Sequence, residues 1–251
     1  MKMLKKISLI PATFFSLSVQ AASTVHFSSD FNNAIDTGSV IVDNGYQLNT
    51  VFGDPGLVDG ALQFNLGGTG LSEQVGLGIF PPVSHKIFSI EFDLFTQNLV
   101  NSNYSFSVLF DTPVVQNLNF RNCCSNSISA FNPFAGSPLI GGLGLLEDDK
   151  SMNVKIGIDL IDSIWTIDIA GVGSGTGGFY SENGSIERMR MSLSPALGGI
   201  DTPDPSINVY VDNLRVVSAV PLPASVWLFG SGLISMFGFA KRRRILKRQI
   251  Q

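Results

Sequence analysis

Apolar residues in this chain recur at every second position, and only a strand turns that spacing into a single face. Phe88, Ile90, Phe92 and Leu94 alternate with Ser89, Glu91 and Asp93. Tyr104, Phe106, Val108 and Phe110 alternate with serines, and Met152, Val154, Ile156, Ile158 and Leu160 with Asn153, Lys155, Gly157 and Asp159. Trp165, Ile167, Ile169 and Met189, Met191, Leu193 repeat the pattern. Tyr46–Phe52, Ala61–Leu66, Val75–Phe80 and Val115–Phe120 are weaker strand candidates, and no long run has a helical period. Strands with one apolar and one polar face belong to antiparallel sheets packed on one side. The expectation is an all-β fold, an antiparallel β-sandwich.

The last strand of the pattern changes phase. Ile207, Val209 and Val211 share one face, while Leu214 and Val216 fall on the other. One extra residue at Asp212-Asn213, a β-bulge, restores the inward face. Turn chemistry is expected at Asp54-Pro55-Gly56, Gly67-Gly68, Asn183-Gly184 and across Gly171–Gly178. The link from Leu160 to Trp165 is expected to close a hairpin.

Both ends depart from this pattern. Lys2, Lys5 and Lys6 precede an apolar stretch from Ile7 to Val19, and Val19-Gln20-Ala21 offers a small-residue cleavage site. That is the anatomy of a signal peptide helix, residues 1–21, cut by signal peptidase between Ala21 and Ala22. At the other end Val220-Pro221-Leu222-Pro223 stops the preceding strand, since proline cannot donate to a ladder. Ala224–Ala240 then runs 17 residues without a charge. As a helix it spans about 26 Å, long enough for a single transmembrane crossing. Lys241, Arg242, Arg243 and Arg244 follow, with Lys247 and Arg248 behind them. A basic cluster stays cytoplasmic, so 241–251 reads as a cytoplasmic tail and the body faces outward. Trp227 suits the membrane interface.

Pro-x-Pro, a short apolar helix holding Trp-Leu-Phe-Gly-Ser-Gly and an arginine cluster, in that order and at the C-terminus, resemble the PEP-CTERM sorting signal. The match covers 220–244, and Leu222 stands where the family's name has glutamate. The resemblance implies a Gram-negative bacterium that makes extracellular polysaccharide. It also implies transient residence in the inner membrane, processing by an exosortase-type enzyme, and delivery to the cell surface or extracellular matrix, with a role in biofilm. The competing expectation is a permanent membrane anchor.

Between the ends lies one domain's length, 22–219. The chain's net charge of −4 conceals an asymmetry: 9 of its 16 basic residues lie in the two ends and all 20 acidic ones between them. The body therefore carries 7 basic against 20 acidic residues, a net of −13. Such a charge excludes nucleic acid and anionic membrane as partners. Cys123 and Cys124 are adjacent, too close for an unstrained disulfide. A strained turn-closing bond, two free thiols and an intermolecular bond all stay open.

The Phe-rich opening at Phe27–Phe31, "FSIEFDLF", "VKIGIDL…WTIDI" and "VYVDNLRV" together resemble concanavalin-like jelly rolls, among them laminin-G-like and carbohydrate-binding modules. That resemblance implies a structural calcium between the first and last strands. Asp30 and Asp212 occupy the matching places; the alternative is that Asp30 caps a turn and Asp212 a bulge. Jelly-roll glycosidases carry Glu-x-Asp-x-Glu, or the same with one extra residue. Here Glu91-Phe92-Asp93 is followed by Phe95 and Thr96, so the second carboxylate that retaining cleavage requires is missing. His26 and His85 are the only histidines, and no Gly-x-Ser-x-Gly elbow, phosphate loop or dinucleotide fingerprint appears. Glu147-Asp148-Asp149 reads as a solvated acidic loop. Phe131, Phe179 and Tyr180, in Gly- or Asn-rich stretches, are candidate loop platforms for a sugar. The expected function is non-catalytic, either polysaccharide binding or matrix structure, with a glycan-active jelly-roll enzyme as the alternative.

Overall fold

Phe88, Ile90, Phe92 and Leu94 are buried while Ser89, Glu91 and Asp93 are half-buried, so the alternation does sort into an inner and an outer face. The computed structural model describes residues 23–65, 73–77, 87–100, 102–111, 116–121, 128–131, 143–178, 188–195 and 206–219. The leader with Ala21 and Ala22, the sorting residues 220–244 and the basic tail lie outside them, as do His85, Cys123, Cys124, Phe179 and Tyr180. Among the described residues no helix is long and apolar enough to cross a membrane.

Ser23–Val220 forms one compact unit. Its sixteen described strands, numbered in chain order, make two antiparallel sheets. The first holds β1 (Ser23–Ser29), β5 (Gly56–Val58), β6 (Ala61–Asn65), β8 (Ile87–Gln97), β12 (Met152–Asp159), β13 (Ile164–Ile169), β14 (Gly173–Gly178) and β16 (Asn208–Ala219). Their order is β14-β13-β12-β8-β16-β6-β5, with β1 also on β16. The second holds β2 (Ile35–Asp36), β3 (Val40–Asp43), β4 (Tyr46–Phe52), β7 (Glu73–Leu77), β9 (Tyr104–Asp111), β10 (Gln116–Arg121), β11 (Ile128–Phe131) and β15 (Arg188–Pro195), in the order β11-β10-β9-β15-β7-β4-β3-β2. The core is the inner face of both. Phe64 of β6 meets Phe106 of β9 edge to face, with centroids 5.4 Å apart, a favoured aromatic geometry.

The phase change in β16 is a bulge, as expected. Asp212 pairs with Asp93 and Arg215 with Glu91, so the register shifts between them. Asn213 takes φ +51, a conformation asparagine tolerates. Val209, Val211, Leu214 and Val216 are consequently all fully buried. One side of β16 is paired with β8 throughout. On the other side its partner changes from β6 at Asn208–Val211 to β1 from Leu214 onward. The bulge therefore sits where three strands meet the last one.

Two expectations are corrected. Gly171–Gly178 is not all turn: Gly173–Gly178 is an edge strand paired with β13. Its glycines serve close approach, since a Cβ on Gly177 would stand 2.6–2.8 Å from the Trp165 ring and one on Gly173 would stand 2.0 Å from the Leu143 carbonyl oxygen. Phe131 is not in a loop. It ends β11, paired with Asn117.

Candidate functional site on the outer face of the first sheet

The outer side chains of the first sheet fall into rows, because antiparallel register sets partners side by side. At one end Gln97, Asn208 and Asn65 stand abreast on β8, β16 and β6. The next row is Phe95, Tyr210 and Gln63. Then come Asp212 with the bulged Asn213, Asp93 and Asn153. A charge ladder follows, Arg215, Glu91, Lys155 and Asp168, alternating in sign. The chemistry thus grades from amide through aromatic and acidic to paired charge.

Each row is knitted by side-chain bonds. Gln63 Nε2 donates to Asn208 Oδ1 at 2.8 Å and to the Tyr210 hydroxyl at 3.1 Å, and Asn65 Nδ2 donates to Asn208 Oδ1 at 2.5 Å. The Phe95 and Tyr210 rings lie 5.9 Å apart, tilted by 53°. Asp93 receives Asn153 Nδ2 on one oxygen at 2.9 Å and Asn213 Nδ2 on the other at 2.8 Å. Lys155 Nζ sits 2.7 Å from Glu91 Oε1. Partners already in place mean that a ligand meets an ordered surface, which lowers the entropy lost on binding.

Over the aromatic and acidic rows lies a cleft of about 450 Å³, lined by Asp59, Asp93, Phe95, Gln97, Tyr210 and Asp212 among others. That volume falls in the range of small-ligand sites. Asp59 reaches the rim from the β5–β6 hairpin. Asp59 and Gly60 both have positive φ there, as a two-residue turn of this hand requires.

Asp212 is electrostatically uncomfortable. Burial pushes its carboxyl above the ordinary value, the Asn213 N–H at 2.6 Å pulls it partly back, and the charges of Asp93 and Asp30 push it up again. Asp30 directly follows Ser29, whose partner on β16 is Leu214, and so lies at the bulged end of the β1–β16 pairing. Asp30 and Asp212 are each turned to their own loop: Asp30 Oδ1 accepts the Asn32 N–H at 3.2 Å and Asp212 caps the bulge. Among the described residues no three His, Cys, Asp or Glu side chains gather as a metal set. Asp30 and Asp212, the pair that the resemblance places on calcium, would need backbone carbonyls to complete a set of oxygen ligands.

The other sequence candidates resolve as follows. Glu91 and Asp93 share the outer face, but Phe95 takes the third position to pack on Tyr210, and Thr96 turns inward with no exposure. His26, the residue skipped in the β1–β16 register, contacts the Ser218 hydroxyl at 2.6 Å, and Ser218 is wholly buried, beyond a substrate's reach. Asp148 is not a solvated loop acid. It accepts from the Thr96 hydroxyl at 2.9 Å, the Leu99 N–H at 3.2 Å and the Val100 N–H at 2.9 Å, and so clamps the end of β8.

Phe179 and Tyr180 lie outside the described residues; among those residues the aromatics that line the cleft are Phe95 and Tyr210. One signal marks them. Each is an aromatic on the polar phase of an alternating strand, after Ser89, Glu91 and Asp93 in one case and between Asn208 and Asp212 in the other.

No protein-family model and no curated protein matches the sequence. Solved structures do. The Crh5 transglycosylase in complex with NAG aligns with a TM-score of 0.58 at 11% identity, over 80% of this chain and 87% of that one. The carbohydrate recognition domain of Emp47p aligns at 0.53 and 10% identity, over 81% and 99%. The CBM2 module of the evolved Dit protein of Lactobacillus casei BL23 phage J-1 aligns at 0.52 and 16% identity, over 80% and 98%. A sialidase matches as well, but this chain spans only 19% of its length. At these identities the likeness is one of fold.

Proposed function

We propose that this chain is an exported, non-catalytic polysaccharide-binding protein that uses the outer face of its first sheet. The observation that carries the reading is the Phe95–Tyr210 pair set in a cleft between an amide row and an acidic row. Aromatic faces pack on the apolar C–H faces of sugar rings, while flanking amides and carboxylates exchange hydrogen bonds with hydroxyls. Carbohydrate-binding modules and recognition domains of the same fold support it. A catalytic reading has the transglycosylase neighbour in its favour. Against it stand the aromatic at position 95 and the commitment of Glu91 to Lys155.

Export follows from the ends: a signal peptide cut at Ala21–Ala22, inner-membrane passage through 224–240, and exosortase-type processing near Pro221-Leu222-Pro223 before release to the cell surface or matrix. Intact mass of the surface form tests this. Loss of Trp227 and the arginine cluster is expected; their retention points to a permanent anchor.

The binding test is titration of the purified protein with oligosaccharides, in calcium and in chelator, beside a hydrolysis assay on the same sugars. Saturable binding without product release is the expected outcome, and turnover decides for an enzyme. Calcium dependence would bring Asp30 and Asp212 back as ligands, together with backbone carbonyls.

A further inference from the structure

The cleft has a charge preference built into its walls. Asp59, Asp93 and Asp212 line it, and among the described residues no lysine, arginine or histidine does. The ion pairs of the described residues lie elsewhere: Lys155 is held by Glu91 and Lys150 by Glu147. Arg215, the next charge along β16, stands opposite Glu91. Asp93 satisfies its oxygens with uncharged amides from Asn153 and Asn213. Among the described residues the charge of Asp93 is thus oriented but not neutralised, beside Asp212, its partner in the register and a like charge.

A neutral sugar seated on Phe95 and Tyr210 would give these carboxylates hydroxyl donors but leave their net charge in place, and covering net charge is costly. A uronic-acid chain would add a like charge, which repels. A protonated amine does the opposite. It relieves the repulsion between Asp93 and Asp212, and it can lie against the face of the neighbouring rings as a cation–π contact. Resting on the polysaccharide-binding reading above, we infer that the ligand is a glycan carrying free amino groups, a de-N-acetylated hexosamine polymer. Its sugar face packs on Phe95 and Tyr210 and its ammonium lies between Asp93 and Asp212.

The test is a titration of the full chain with four probes: the hexamer of β-1,4-linked glucosamine, its fully N-acetylated counterpart, cellohexaose and polygalacturonate. It is run below neutral pH, where the amines are protonated, at low and high salt. The amine hexamer should bind at least about tenfold more tightly than cellohexaose, a margin that narrows with salt. Asp93→Asn and Asp212→Asn should each erase most of that margin, with thermal unfolding followed to confirm the fold. Asp162→Asn makes the same charge change in the remote β12–β13 turn and should leave the margin intact. Equal losses from Asp162→Asn and Asp93→Asn would mean only general attraction to an acidic protein, and would overturn the inference. Tighter binding of cellohexaose, of the N-acetylated hexamer or of polygalacturonate would overturn it too, while leaving polysaccharide binding in place. Failure of the folded protein to bind any of the four would remove both.

Discussion

The two faces of β8 are made by one run of eleven residues and obey different rules. Inward, Phe88, Ile90, Phe92, Leu94 and Thr96 are at most 3% exposed. Outward, Ser89, Glu91, Asp93, Phe95 and Gln97 remain half-open, and their neighbours on β16, β6 and β12 are chosen for chemistry rather than volume. The inner face requires apolar bulk of the right shape and little else. The outer face is only half-buried and less constrained by packing, so an aromatic pair beside two carboxylates there calls for another explanation. Under the proposed function, stability and recognition separate by residue parity along the same backbone, and substitutions can show how cleanly.

The largest effect is expected inside. Phe92→Ala empties a fully buried site at the centre of the first sheet and should cost about 3–5 kcal/mol by denaturant unfolding. A loss under about 1 kcal/mol would mean the core is not where the two sheets place it. Asp148→Ala probes the boundary between the faces. Losing three bonds to one carboxylate should cost about 2–3 kcal/mol and loosen the Asn98–Val100 turn, visible as faster amide exchange at Leu99 and Val100. Tyr210→Ala tests the outer face alone. Oligosaccharide affinity should fall roughly tenfold, about 1.4 kcal/mol, while the unfolding midpoint moves by only a few degrees.

The smallest effect concerns pH. The Asp212 carboxyl is raised in the fold by burial and by Asp93 and Asp30, so the native state holds that proton more tightly than the unfolded chain does. Its ionisation then costs stability as pH rises through the raised value, and the cost persists at neutrality. Asn at 212 keeps an acceptor for the Asn213 N–H and has no charge to desolvate. Asp212→Asn should be slightly more stable than the wild type at neutral pH, with the gap closing in acid. A gap that widens in acid would reverse the sign.

How far the sequence spoke follows the same division. The inner face was legible because alternation is a packing signal: β8, β12, β13, β15 and the bulge in β16 all come from it. Strands too short or too glycine-rich to alternate, such as β2, β5 and β14, were hidden, since register and close approach rather than side-chain pattern make them strands. The Asn44-Gly45 and Asp59-Gly60 hairpin turns, with positive φ at all four residues, carry a legible sequence signal of their own. The site was harder. Glu91 and Asp93 stand out as paired carboxylates, but Phe95 and Tyr210 become neighbours only through the pairing of strands more than a hundred residues apart. Asn132 and Gly136 follow Phe131 in the sequence as they would a loop residue, and composition cannot tell a loop from the end of β11.

The most direct test of the central claim is calorimetric titration of a polysaccharide fragment into the wild type and into the Phe95→Ala/Tyr210→Ala double variant, with thermal unfolding recorded on both. The account predicts that binding disappears in the double variant while cooperative unfolding remains close to that of the wild type. Undiminished binding by a double variant that is shown to be folded would contradict it, and would move recognition off the outer face of the first sheet.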